Sequence, residues 1–157
     1  MNLNFVFTMG LKESNELLVG KLSLLDGKEL IGSWPATSGL AGYQTEDHFW
    51  VRGKGLIPRT IKGKRDYTVD VKGRYPSALK GIEGMAYRIF PDPIRQVGPG
   101  GGLRSEVMIH RDANWPGSSG CIVLRIDEPA YKVFNDLVWK VAGKFDDVPL
   151  DVIYFDV

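Results

Sequence analysis

Two apolar runs, LLVGKLSLL and KELIGSW, stand on either side of Asp26-Gly27. That dipeptide suits a tight turn with positive φ, and apolar runs flanking such a turn pair as an antiparallel hairpin. Beyond the hairpin the chain keeps returning to a period of two. LNFVFT (3–8) sets Leu3, Phe5 and Phe7 on one face, and DYTVDVK (66–72) does the same with Tyr67, Val69 and Val71. MAYRIF (85–90) and EVMIH (106–110) read as further strands, and LDVIYFDV (150–157) closes the chain as another. Between MAYRIF and EVMIH, the segment PDPIRQVGPGGGLRS reads as a loop. Nineteen glycines and nine prolines favour many turns over long helices.

One segment departs from that period. Asp127 is a suitable N-cap, with Glu128 and Pro129 in the first turn behind it. Val133, Phe134, Leu137, Val138 and Val141 then fall at helical spacing, and Gly143 is a natural stop. The expected architecture is mainly β, with this one helix packed against the strands. At 157 residues, with no internal repeat, low-complexity segment or linker, the chain reads as a single domain over 1–157.

Charge and residue counts narrow the chemistry. The net charge of +1 offers no global attraction for nucleic acid or membrane. Residues 52–74 carry eight basic side chains against Asp66 and Asp70, while 127–157 carry seven acids against three lysines. Such blocks read as solvated faces of opposite sign, or as a basic rim for an anionic polymer or a substrate carboxylate. A single cysteine rules out an internal disulfide, and two distant histidines make a protein-ligated metal an unpromising reading. The N-terminal MNLNFVFTMGLKESN lacks the basic start and the long apolar run of a signal peptide or membrane span. Synthesis in the cytoplasm, with delivery by a route other than a leader, is the expectation.

Chemistry concentrates in HRDANWPGSSGCIVL, residues 110–124. His110 ends one strand and Cys121 begins the next, with Pro116, Gly117 and Gly120 between them able to fold the chain back. An imidazole beside a thiol takes its proton and stabilises the thiolate, the stronger nucleophile. Gly120 clears the approach to the sulfur and lets backbone N–H groups point at a developing oxyanion. The same residues also fit a small buried hydrophobe and a bystander ring. Around them, Arg111 and Asp112 flank the histidine, Asp112 being a possible imidazole partner. Trp115 fits either a groove wall or loop packing, and Arg88 either a substrate carboxylate or plain solvent. His48 reads as structural or exposed, and the 98–102 glycine run lacks the Gly-Lys-Ser/Thr of a phosphate loop.

The run Ser118, Ser119, Gly120, Cys121, Ile122, Val123, Leu124 resembles the cysteine signature of the L,D-transpeptidase (YkuD-like) catalytic domain. LSLLDGKELIGSWPATSG (22–39) is similar to that family's opening hairpin with its "STG"-like end, and KGLIPRTIKGKRDYTV to its Pro-containing region. The likeness covers roughly residues 17–157. The gap from His110 to Ser118 is shorter than usual, Ser119 stands where the signature has histidine, and Val123 where it has Arg or Asn. These departures resemble the divergent Ser-x-Gly-Cys branch of effector and phage-associated members. The resemblance implies an L,D-transpeptidase-type β-sandwich, with no metal or organic cofactor.

It further implies Cys121 as acylated nucleophile, His110 as base, Ser118 orienting the base, and Gly120 with Cys121 supplying oxyanion N–H groups. Trp115, Arg88, Ser119 and Arg111 are the candidates for binding substrate. The implied substrate is a peptidoglycan stem peptide, opened at the diamino acid–D-Ala bond through a thioester. Water or an amine would resolve it, at the bacterial cell wall or periplasm. The rival expectation is a non-catalytic structural or binding module of a phage particle or secretion apparatus. Nucleic-acid binding through 52–74 is a third and weaker one, since no recognition motif accompanies the charge.

Overall fold

The alternation read at the N-terminus becomes strand β1 (Leu3–Leu11), in which Leu3, Phe5, Phe7, Met9 and Leu11 are buried. A computed structural model of the chain describes residues 1–77, 82–96, 102–112 and 120–157. The expected hairpin is β2 (Gly20–Asp26) and β3 (Glu29–Thr37). Its turn lies one residue later than the Asp26-Gly27 pair suggests, because Asp26 pairs with Glu29 and leaves Gly27-Lys28 at the bend. Gly27 takes φ +60° there, a conformation that costs glycine little and most side chains more.

Strands β4 (Tyr67–Val69), β5 (Tyr75–Pro76) and β6 (Ile82–Phe90) follow. PDPIRQVGPGGGLRS is not loop throughout: β7 (Ile94–Arg95) pairs with β8 (Leu103–Arg104). The reason is apolar anchoring, since Ile94 is drawn fully into the core. Strands β9 (Met108–Asp112) and β10 (Ile122–Leu124) precede helix α1 (Glu128–Ala142), and β11 (Val148–Asp156) ends the chain.

The main sheet runs β4-β11-β1-β2-β3-β10-β9-β6, and β4 also pairs with β6. The eight strands therefore close on themselves into a barrel-like sheet, rather than splitting into the two layers of a sandwich. Closure falls to the three residues of β4, which bond β11 on one side and β6 on the other. A sandwich and a closed ring demand the same in–out alternation, so only the β4–β6 pairing separates them. Two of the pairings are parallel, β1 with β11 and β9 with β10.

Helix α1 begins where expected: the Asp127 carboxylate accepts from the Ala130 N–H at 2.9 Å, and Pro129 occupies the first turn. Its buried stripe differs from the reading above. Tyr131, Phe134, Val138 and Ala142 face inward, while Val133 is 66 % exposed. Tyr131 belongs to the stripe because its hydroxyl reaches the Met85 carbonyl, which lets an amphipathic ring be buried. Phe134 stacks on Tyr131 at 5.5 Å and meets Trp34 and Tyr87 edge-on at 4.6 and 5.9 Å. Arg74 pins the outer side, donating to Tyr87 Oη and the Asn135 carbonyl and lying 4.3 Å over Trp139.

Phe134→Ala should lower unfolding free energy by about 3–5 kcal/mol, whereas Val133→Ala should stay within about 0.5 kcal/mol. Urea denaturation of the two variants beside the parent chain measures both; equal effects would place the helix on the wrong face.

Candidate functional site

The site starts from two isoleucines. Ile109 and Ile122 are cross-strand partners in the parallel β9–β10 pair, and both point into the core. Side chains alternate along a strand, so their neighbours project from the outer face. Those neighbours are Met108 and His110 on β9, with Val123 on β10 and Cys121 just before it. The register sets Val123 opposite His110 and, two residues earlier in step, Cys121 opposite Met108. Strand spacing of about 4.8 Å and a rise of about 3.3 Å per residue put the 110–121 diagonal at roughly 8 Å between Cα atoms, within side-chain reach. The two strands are adjacent, as the sequence reading expects, and they run parallel.

His110 is 5 % exposed, and its Nδ1 lies 2.8 Å from the Arg111 carbonyl. A carbonyl oxygen only accepts, so Nδ1 carries the proton and Nε2 keeps its lone pair in the neutral ring. Burial lowers the imidazole pKa below its usual 6.5, with the Arg111 carbonyl and the Asp112 carboxylate acting in the opposite direction. Asp112 itself is ion-paired with Arg125. It influences the ring through space; the group oriented against Nδ1 is the Arg111 carbonyl.

Cys121 is 8 % exposed and packs with Ala86, Met108 and Val123, beside Tyr75, in an apolar cluster separate from the main core. Its thiol donates to the Glu106 carbonyl at 3.7 Å. Burial pushes the thiol pKa up to about 11; a backbone hydrogen bond from Met108 and the Arg104 charge lower it, and Glu106 raises it. The resting sulfur is a thiol, not a thiolate. Glu106 holds φ at +57°, a left-handed conformation that a non-glycine residue adopts at some cost.

Gly120 is locked by its surroundings. Its φ is +122°, and a Cβ there would fall 1.9 Å from Arg104 Nη2. Ser38, fully buried, donates from Oγ to the Gly120 carbonyl at 3.1 Å and accepts from the Ile57 N–H at 2.9 Å. The Gly120 carbonyl and the Cys121 N–H belong to one peptide plane, so this bond fixes where that N–H points. Ser38 and Arg104 escaped the sequence reading. Ser38 lies in ATSG, inside the stretch quoted for its family likeness; nothing in LRS distinguishes Arg104.

Arg88 is exposed, sits opposite Met108 on β6, and lies 4.8 Å over the Tyr75 ring. It therefore shares the outer face with Cys121, one strand further away. Arg111 is half-buried and points to the other face of β9 from His110. Ser118, Ser119 and Trp115 lie outside the described residues. His48 is half-buried, with Nδ1 2.8 Å from Thr45 Oγ1 and its ring edge-on to Tyr43. The 52–74 segment is less of a rim than its charge suggests. Arg65 is buried under Trp50, Arg59 pairs with Glu46, and Arg74 is bound to α1. Among the described residues no group of three His, Cys, Asp or Glu could hold a metal ion, and no helix is long and apolar enough to cross a membrane.

Comparison of the chain with protein-family models, curated proteins and solved structures gives no match.

Two expectations follow from this geometry. Gly120→Ala must both strain the backbone and displace Arg104, so a loss of about 2–4 kcal/mol in a urea melt is expected. Stability should also be highest between about pH 6.5 and 9. Below 6.5 the unfolded histidine takes a proton that buried His110 resists, so stability falls with pH. Above the thiol's ordinary 9.0 the unfolded cysteine loses a proton that Cys121 keeps up to about 11, so stability falls as pH rises. Cys121→Ala should flatten the alkaline limb between pH 9 and 10, and His110→Gln the acidic one, in Tm measured across pH.

Proposed function

We propose that this protein is a cysteine acyltransferase or peptidase acting on peptidoglycan stem peptides, with an L,D-transpeptidase-type catalytic domain. The observation that carries the reading is that a buried imidazole and a thiol lie on one outer face of adjacent parallel strands. The wall-peptide substrate comes from the resemblance of the Ser118–Leu124 run.

His110 Nε2 takes the Cys121 proton as the sulfur attacks the carbonyl carbon of the diamino acid. The carbonyl oxygen gains the electron pair and is held by N–H groups of Gly120 and Cys121. As the C–N bond breaks, the imidazolium returns the proton to the departing amine of D-Ala, leaving a thioester. Water gives a shortened peptide, and an amine gives a cross-link; either regenerates the thiol. Because burial keeps the thiol protonated near neutral pH, transfer to His110 must accompany attack. Arg88, on the same face, is suited to a substrate carboxylate, and Trp115 and Ser119 are kept as candidates for substrate contact.

The deep burial of the thiol favours a second reading, a non-catalytic module of a phage particle or secretion apparatus in which Cys121 merely packs. Incubation with purified muropeptides separates the two. Loss of one alanine, chain scission and dimer formation give different product masses, and Cys121→Ala should cut turnover by at least about 10³-fold. Undiminished turnover by Cys121→Ala would falsify the thioester route; no turnover by the parent chain on any muropeptide would favour the module.

A further inference from the structure

We propose that Arg104 is a positioning residue of the thiol site, a fixed cation that holds the Gly120–Cys121 backbone and draws negative charge to the sulfur. The inference rests on reading Cys121 as a nucleophile; it does not depend on which substrate that nucleophile attacks.

Arg104 is 3 % exposed. Its guanidinium donates to the carbonyls of Phe49, Leu56 and Gly55 at 2.6, 3.1 and 3.2 Å. Guanidinium is planar and rigid, so three carbonyls from one segment aim it as well as satisfy it. What it is aimed at is Gly120: Nη2 occupies the space where a Cβ of residue 120 would stand. From the other side Ser38 binds the Gly120 carbonyl. The residue before the sulfur is thus clamped between a hydroxyl and a cation, both buried.

A cation kept in a low-dielectric site by neutral carbonyls retains an outward field that water does not screen. The nearest group able to become an anion along the chain from Gly120 is the Cys121 thiol. Other charged or titratable groups face the same place: Glu106 before β9, His110 on β9 and Arg88 on β6. Glu106 opposes the effect and Arg104 promotes it. Arg104 also feels Tyr154, Tyr67 and Arg52. Burial outweighs these influences in the resting protein, so Arg104 moderates the cost of forming a thiolate rather than producing one.

Alkylation with two reagents of similar shape tests this without any substrate. Iodoacetamide is neutral and iodoacetate carries a carboxylate; in both, the thiolate displaces iodide and forms one S–C bond. The ratio of their rates cancels differences in access to the sulfur and reports the local field. Relative to a free cysteine peptide at the same pH, wild type should favour iodoacetate by about tenfold at low salt. Arg104→Gln should bring the ratio to the free-peptide value, Arg104→Lys should keep it within about threefold, and Arg88→Gln should leave most of it. A thermal melt establishes that each variant is folded.

A wild-type ratio equal to the free peptide overturns the proposal, and so does a folded Arg104→Gln with an unchanged ratio. Loss of the ratio in Arg88→Gln alone assigns the field to Arg88 and also overturns it. If Arg104→Gln does not fold, the wild-type and Arg88→Gln ratios still decide. An anion preference that depends on Arg104, in a protein that turns over no muropeptide, upholds this inference while removing the wall-peptide reading.

Discussion

Ile109 and Ile122 face each other inside the barrel, and the candidate site depends on that contact. Strands present side chains to alternate faces, so a one-residue slip of β10 against β9 would send Cys121 inward and away from His110. Both isoleucines are almost fully buried, and a slip of β10 would take Ile122 out of the main core and turn Cys121 and Val123 into it. Burying such a side chain contributes on the order of 2 kcal/mol, enough to hold one register strongly. The site's geometry is thus a by-product of core packing on the opposite side of the sheet.

The outer face combines two environments that pull in different directions. Ala86, Met108 and Val123 surround the sulfur with apolar atoms, which keeps the thiol protonated. The same dryness keeps His110 neutral, which a proton acceptor requires. A base that is available and a nucleophile that is masked suit chemistry in which proton transfer and attack occur together. They suit equally a packed thiol with no chemistry. What distinguishes the site from ordinary core is the care taken over one backbone residue, with Ser38 and Arg104 holding Gly120 from opposite sides and Glu106 strained nearby.

Closure of the sheet brings the other half of the chain to this place. The short β4 joins β11 to β6, and β6 supplies Arg88 and Ala86 to the outer face. Loop 49–56, distant in sequence from 104, supplies the carbonyls that aim its guanidinium. Part of the basic stretch is consumed in such internal work: Arg65 and Arg74 are structural and Arg59 is paired, while Arg52, Lys54, Lys62, Lys64 and Lys72 stay exposed.

Strands, hairpin and helix were legible because each answers to a local period or a local turn. Phe5 and Phe7 two residues apart, Gly27 at a bend and Asp127 before a helix need no distant partner to be recognised. That His110 and Cys121 stand on neighbouring strands was legible from residue types at a short spacing; that the strands run parallel was not. The inward face of α1 was half legible: Val133 has the right spacing, but Tyr131 took the place because a carbonyl on β6 could satisfy its hydroxyl. Local chemistry along the chain thus dictates the elements and the residue types of the candidate site. Closure of the barrel, the direction of β10 and the placement of Ser38 and Arg104 about Gly120 belong to the folded whole, because each depends on free energies between residues far apart in sequence.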